Sequence, residues 1–249
     1  MQIQGNKVLI TGGGSGIGLA LARSFAGLGN QVLICGRSQA RLDQAQKEIP
    51  VIKAFQCDIT QGQELKNLLG FVQKDFPDLN LLINNAGVAN IYDLIGDDGA
   101  GGMAAQEIQT NLLAPIRLTQ LLLPLLLKQP AAAVVNISSG LALCACSLVP
   151  GYSAAKAGLH AFTRVLRHYL TKTKVQVMEV FPPLVDTEMC QGINLPKLKA
   201  EAVARSVIKG LKNNRREIYP GMAKGLWLMS RIAPNLFEGL FNRYLARKI

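Results

Sequence analysis

The sequence predicts an α/β fold: one doubly wound parallel sheet with helices on both faces, continued by a helical C-terminal extension. Two observations carry that prediction. Apolar runs of strand length alternate with stretches of helical spacing, the pattern left by βαβ crossovers. The first such run ends directly in the glycine cluster Thr11-Gly12-Gly13-Gly14-Ser15-Gly16-Ile17-Gly18, and a helical pattern follows at once. At 249 residues the chain is long enough to bury a sizeable core in one domain.

In chain order, residues 7–10 form a short β run, and 17–28 carry helical spacing up to the stop signal Gly29-Asn30. Residues 31–35 are strand-like and 39–48 helical. Further strand runs occupy 54–57, 79–83, 133–137 and 175–181, with helical stretches between them. Residues 97–102 (Asp-Asp-Gly-Ala-Gly-Gly) read as a loop leading into a helix over 104–123. A last strand is expected within 215–220, followed by two helical pieces, 224–232 and 235–247, separated at Pro234. Residues 1–221 are assigned to the main domain and 222–249 to a basic amphipathic extension of it.

Composition narrows the function classes. With 49 % hydrophobic and 17 % charged residues, the chain is neither disordered nor a coiled coil. Five cysteines follow no zinc spacing, and the N-terminus lacks the basic and apolar regions of a signal peptide, so a reducing cytoplasm is expected. Cys144-x-Cys146 has no histidine near it, so buried or pocket-lining thiols are expected and no metal is assigned. The apolar run 121–127 falls well short of the ~20 residues a bilayer span needs. Charge is uneven: from Lys197 onward twelve Lys or Arg face three acids, while residues 1–196 carry fifteen against thirteen. In that basic part Leu236, Phe237, Leu240, Phe241 and Tyr244 fall at helical spacing, flanked by Arg243, Arg247 and Lys248. Such a stripe packs on its own domain, on a second subunit, or on an anionic membrane surface. A nucleic-acid partner is not expected.

The glycine cluster fits Thr-Gly-x-x-x-Gly-x-Gly through Gly12, Gly16 and Gly18, and not strict G-x-G-x-x-G. Between a strand and a helix, such glycines allow a tight turn and close approach of Gly14, Ser15 and Ile17 backbone to a pyrophosphate at the helix N-terminus, as in a Rossmann sheet. An acid that would hold a free ribose 2′-hydroxyl is absent after the second strand, where Gly36-Arg37-Ser38 stands instead. A guanidinium there matches a 2′-phosphate, so NADP(H) is the expected cofactor, with Arg37 as its main contact and Ser38 as a helper. Arg41 is a further helper or an exposed helix charge. Asp58 either accepts a hydrogen bond from adenine or caps the turn before Ile59-Thr60.

Tyr152 and Lys156 are four residues apart, hence on one face of a helix with Cβ atoms ~5–6 Å apart. A tyrosine titrates near pH ~10. Lowering it by about three units requires roughly 4 kcal/mol, and a cation at ~4 Å in a medium of effective dielectric ~20 supplies about that. Tyr152 is thus a candidate general acid/base tuned by Lys156, with Ser139 holding the reacting oxygen. Strand alternation sends Ser138 and Ser139 to opposite sides, so only one serves. His160 and His168 are read as structural or surface residues.

Together these residues resemble the short-chain dehydrogenase/reductase family over residues 5–190, adding Asn84-Asn85-Ala86-Gly87, Asn111 and a Pro182 segment ending in Thr187. The resemblance implies that Asn85, Ala86 and Gly87 pass behind the cofactor ribose while Asn84 braces the sheet. It implies that Asn111 interrupts a helix and holds a water linking Lys156 to solvent, although capping or bending the helix is the alternative. Lys156 would also bind the nicotinamide ribose, and Pro182, Val185 and Thr187 would border the carboxamide. Hydride would pass to a carbonyl carbon as Tyr152 protonates the oxygen. Pro183 stands where the family commonly has glycine, and the tail departs from the family's usual ending. Segments 110–119 and 136–142 and the long tail look like a bacterial branch called DltE-like, which implies a cell-envelope process and no particular substrate.

The expected activity is NADPH-dependent reduction of a small hydrophobic ketone or aldehyde, reversible as an alcohol dehydrogenase, by a homodimer or homotetramer. Leu141, Cys144 and Met189 are the expected substrate-pocket residues. The alternative is an NADP(H)-binding accessory protein with little turnover.

Overall fold

The computed structural model describes residues 1–246 and Lys248; Arg247, counted above beside the C-terminal stripe, lies outside the described residues. Seven strands form one parallel sheet: β1 (Lys7–Thr11), β2 (Gln31–Gly36), β3 (Lys53–Gln56), β4 (Leu81–Asn84), β5 (Ala132–Ile137), β6 (Val175–Val180) and β7 (Glu217–Ile218). Their spatial order is β3-β2-β1-β4-β5-β6-β7, so chain order reverses beside β1 and opens a crevice at the carboxyl ends of β1 and β4. β4 and β5 are wholly buried, as strands covered on both faces must be, which is why they read as apolar runs broken only by Asn84 and Asn136.

Helices α1 (Gly16–Gly27), α2 (Gln39–Glu48) and α7 (Ala200–Lys212) cover one face, packing Leu21, Phe25, Leu42 and Val207 onto Ile10, Ile34 and Val180. On the other face lie α3 (Gly62–Asp75), α5 (Ala114–Leu127) and α6 (Pro150–Tyr169), with Leu68, Val72, Leu122 and Leu166 against Leu9, Leu33 and Val134. Helix α4 (Ala100–Ile108) runs into α5 through a π turn, Gln109–Leu113.

The helix therefore begins before residue 104 and takes in Gly101 and Gly102, which the sequence placed in a loop. Each glycine costs roughly 1 kcal/mol of helix propensity, and packing of α4 on α6 overrides it. From Ala100 to Leu127 the 28-residue helix is long and apolar enough to cross a membrane by length and composition. Its stripe Leu118, Leu122, Leu126 is buried against the sheet, which makes it a core helix.

A polar ladder crosses this layer. Asn84 donates to Thr119 Oγ1 (3.0 Å) and to Asn136 Oδ1 (2.8 Å), and Asn136 donates to Thr163 Oγ1 (2.8 Å). Four buried polar side chains thus tie β4 and β5 to α5 and α6 just below the crevice.

Two further helices end the chain, α8 (Ala223–Ile232) and α9 (Pro234–Ala246). Helix α8 seats Trp227 on Tyr219, which stacks on the buried Phe181 at 4.8 Å. Helix α9 is pinned by Asn242, which donates to Ala145 O (2.9 Å) and accepts from Ser147 N (2.7 Å), and by the buried Leu245.

Asn136→Ala leaves Asn84 and Thr163 without their shared partner. A buried unsatisfied group costs about 1–3 kcal/mol, so urea unfolding should show a loss of roughly that size and a Tm lower by ~2–12 °C.

Candidate active site

The crevice is a cleft of about 690 Å³, within the ~300–1,000 Å³ usual for ligand sites. Its floor is the turn after β1. Gly12 and Gly16 adopt left-handed backbone (φ +64° and +52°), and a Cβ on them would come within 2.9 Å of Ala86 Cα and of the Thr187 methyl respectively. A Cβ on Gly18 would lie 2.1 Å from Gly12 O, so this glycine serves helix–strand packing and does not border the cleft. Gly12, Gly14, Ser15, Gly16 and Ile17 do border it. The Ser15 side chain makes no capping hydrogen bond and no acid stands in the first turn of α1, which leaves that positive helix end free for an anion. Thr11 Oγ1 accepts from Asn85 N (2.9 Å) and Ala86 N (3.0 Å), fixing the Asn85-Ala86-Gly87 segment opposite the glycines.

At one end of the cleft lie Arg37, Ser38, Arg41 and Asp58. Arg37 is exposed, and among the described residues no carboxylate pairs with it. Ser38 caps α2, accepting from Arg41 N. Arg41 bonds Glu188 at 2.6 Å across the cleft mouth, an exposed pair of the kind worth ~0–1 kcal/mol. Asp58 Oδ1 accepts from Thr60 N (2.9 Å) and Thr60 Oγ1 (2.8 Å), the turn role, while the residue still borders the cleft. Glycine turn and open helix end together fit a dinucleotide, and the unpaired Arg37 guanidinium stands at one end of the same cleft. Among the described residues no cluster of three His, Cys, Asp or Glu could hold a metal.

At the other end Ser139, Tyr152 and Lys156 meet. Lys156 is buried; its Nζ donates to Ile137 O at 2.9 Å and stands 5.5 Å from the Tyr152 ring centroid. Desolvation lowers its pKa to about 8, opposed by the attraction of Glu179. The Tyr152 phenol is pushed up to about 12 by burial, and its hydrogen bond with Ser139 pulls the other way. This corrects the expectation that Lys156 draws the phenol down toward neutrality. The ammonium lies over the ring and is committed to a backbone carbonyl, so desolvation of the phenol dominates. The serines part as alternation requires: Ser139 turns to Tyr152, and the buried Ser138 turns toward Glu179.

Sequence reasoning missed the anion behind the lysine. Glu179 on β6 is fully buried, with Oε2 2.8 Å from His160 Nδ1. Desolvation raises its pKa; the His160 hydrogen bond and charge lower it. His160, read as a structural or surface residue, is one half of this pair. A signal existed: a lone acid in the apolar strand Val175–Val180, and a histidine one turn beyond Lys156 on α6. Also missed was the fully buried Glu107, which accepts from Asn90 N (2.6 Å) and Tyr92 OH (3.1 Å), while Tyr92 OH accepts from Gly151 N (3.0 Å). It anchors the loop after β4 to the start of α6.

Asn111 sits in the π turn, and both ends of its amide are used on Val88: Nδ2 donates to Val88 O (2.8 Å) and Oδ1 accepts from Val88 N (3.1 Å). It interrupts the regular helix and holds the loop after Gly87, but Thr110, not Asn111, borders the cleft. Pro182, Pro183, Val185 and Thr187 border it, and Pro182 O accepts from Gly140 N (3.0 Å). Of the three expected pocket residues, Met189 lines the cleft and Leu141 and Cys144 do not. Leu141 lies in the 3₁₀ turn Gly140–Ala142, and Cys144 is buried, its thiol pushed up to about 11 by desolvation.

Comparison with known proteins agrees with this geometry. A family model described as short chain dehydrogenase matches residues 6–197. The uncharacterized oxidoreductase DltE of Bacillus subtilis is 40 % identical over 232 residues, covering 91 % of this chain and 92 % of that one. A fatty acyl-CoA reductase of Acinetobacter baylyi is 28 % identical over 248 residues, covering 94 % and 82 %. A short chain dehydrogenase of Burkholderia cenocepacia, solved in complex with NADP, superposes with a TM-score of 0.85 at 26 % identity, covering 96 % and 99 %. With its parallel sheet, its cleft and these relatives, the chain belongs to the short-chain dehydrogenase family of oxidoreductases.

Proposed function

We propose that this protein is a cytoplasmic, NADPH-dependent carbonyl reductase, reversible as an alcohol dehydrogenase, that acts on hydrophobic ketones or aldehydes. The observation that carries the reading is the convergence of Ser139, Tyr152 and Lys156 on the same cleft as the glycine turn and Arg37.

The first turn of α1 and the backbone of Gly12 to Ile17 would hold a pyrophosphate, and Arg37 with Ser38 would take a ribose 2′-phosphate. Asn85, Ala86 and Gly87 would back the ribose. Pro182, Val185 and Thr187 would border the nicotinamide, which when bound supplies the hydride. Ser139 would donate a hydrogen bond to the substrate oxygen and orient it toward Tyr152. A phenol pushed up to about 12 keeps its proton at neutral pH, yet is a stronger acid than the alcohol whose alkoxide it protonates. Tyr152 is therefore present as the protonated donor that reduction requires. Lys156 would stabilise the phenolate left behind and bind ribose hydroxyls. The mixed apolar lining around Met189, Pro183 and Cys190 favours an apolar substrate, and a relative named as a fatty acyl-CoA reductase supports that class.

Three outcomes test this. Tyr152→Phe should lower the rate of NADPH oxidation with a panel of alkyl and aryl ketones by ~10²–10⁴-fold while leaving NADPH binding intact; tyrosine-independent or absent turnover throughout would favour an accessory binding role. Arg37→Ala removes charge-assisted hydrogen bonds worth about 1.5–3 kcal/mol. Fluorescence titration should then show NADPH affinity lower by roughly ten- to hundredfold and NADH affinity unchanged. Because Lys156 loses its proton near pH 8, kcat/KM for reduction should fall on the alkaline side of that value. Glu179 raises the lysine pKa, so Glu179→Gln should move this limb to lower pH; an unmoved limb would show that Lys156 does not set it.

A further inference from the structure

The amphipathic stripe read from the sequence is only partly covered by the chain's own domain. On α9, Phe237, Phe241 and Leu245 turn inward, while Leu236, Leu240 and Tyr244 stand 66 %, 54 % and 50 % exposed one turn apart. On α8 the inward side is Leu226 and Trp227, and Leu228, Met229 and Ile232 are exposed; Met222, just before the helix, is 72 % exposed. Two consecutive helices thus spend one face on the domain and present a second apolar face to the outside. Isolated exposed apolar residues need no explanation, but seven within 23 residues form a patch of the kind that marks an interaction site.

The charge of the same segment selects the occupant. Exposed Lys224 and Arg231 share the outward side of α8 with Leu228, at i, i+4 and i+7, and exposed Arg243 lies three residues after Leu240 on α9. Lys248 is also exposed, and Glu238 is the single acid in residues 222–249. A second copy seated symmetrically on this face would bring the basic residues of one patch onto those of the other, because an isologous contact is self-complementary. An anionic bilayer surface instead takes the apolar side chains at its acyl boundary and the cations at its headgroups.

We propose that α8 and α9 form an interfacial docking surface for anionic lipid membranes, lying in the headgroup plane without spanning the bilayer. The inward sides of the same helices pack on the segment that follows Ser139: Leu226 lies against Gly140, and Asn242 bonds Ala145 and Ser147. The lipid contact itself does not depend on the chemistry proposed for the cleft.

The test is co-sedimentation of the full-length protein with phosphatidylglycerol vesicles and, separately, with phosphatidylcholine vesicles. Binding is expected to the first and not the second at low salt, weakening as salt screens the cations. The double variant Leu236→Asp/Leu240→Asp and the double variant Arg231→Glu/Arg243→Glu should each lower partitioning by about tenfold or more, since each basic side chain at such a surface contributes about fivefold. All four side chains are exposed, and unchanged NADPH binding checks that the fold is kept. No sedimentation with phosphatidylglycerol at low salt overturns the proposal, as does undiminished binding by both variants. Self-association of the wild type that the leucine variant abolishes, without lipid binding, assigns the face to a second copy and overturns it as well.

Discussion

A cation held out of water organises this structure. Lys156 is buried beneath the carboxyl edge of the sheet, where an isolated charge is costly, and three features offset that cost. Ile137 O takes a hydrogen bond from the ammonium, the Tyr152 ring offers its face, and Glu179 places an anion behind it. Glu179 is itself buried and depends on His160 in turn. These groups come from β5, α6 and β6, so the register Asn136↔Glu179 between neighbouring strands and the docking of α6 on them must be right together. The ladder from Asn84 through Asn136 to Thr163 enforces that docking one layer below.

The opposite end of the cleft is built on closeness of backbone. Gly12 abuts Ala86, Gly18 abuts Gly12, and Gly87 abuts Asn111, each at a distance that a methyl group would violate. Thr11 and Asn111 satisfy the backbone groups such approaches would strand, one through its hydroxyl and the other through both ends of its amide. These contacts set the spacing between the glycine turn and the 85–88 segment that faces it.

Much of this was legible in the sequence because the chemistry constrains residue type locally. Strands buried on both faces read as apolar runs, and the glycine turn and the Tyr152–Lys156 pair lie at spacings set by a single turn or helix. What escaped depended on tertiary packing. Glu179 and His160 are nineteen residues apart and meet only when β6 lies under α6. The sign of the shift on Tyr152 escaped because a Coulomb estimate along one helix omits desolvation by the rest of the fold. Leu141 and Cys144 were placed in the pocket by chain order alone, and neither borders the cleft. The fate of the aromatic stripe needed burial, since Phe237 and Leu236 are adjacent in sequence, yet one is half-buried and the other exposed.

The C-terminal helices belong to the same physical argument as the buried lysine. Phe181 follows β6 directly and packs edge-on against His160 at 5.4 Å; Tyr219 stacks on Phe181, and Trp227 of α8 closes over Tyr219 at 5.6 Å. This aromatic column is the wall between the Glu179–His160 pair and the extension. Water reaching the pair would raise the local dielectric and weaken both the attraction on Lys156 and the desolvation that lowers its pKa. The inward faces of the extension are thus spent on this aromatic column, and only the outward faces are left free to meet another surface. A boundary drawn at residue 221 from charge and composition divides the sequence, but the packing runs across it.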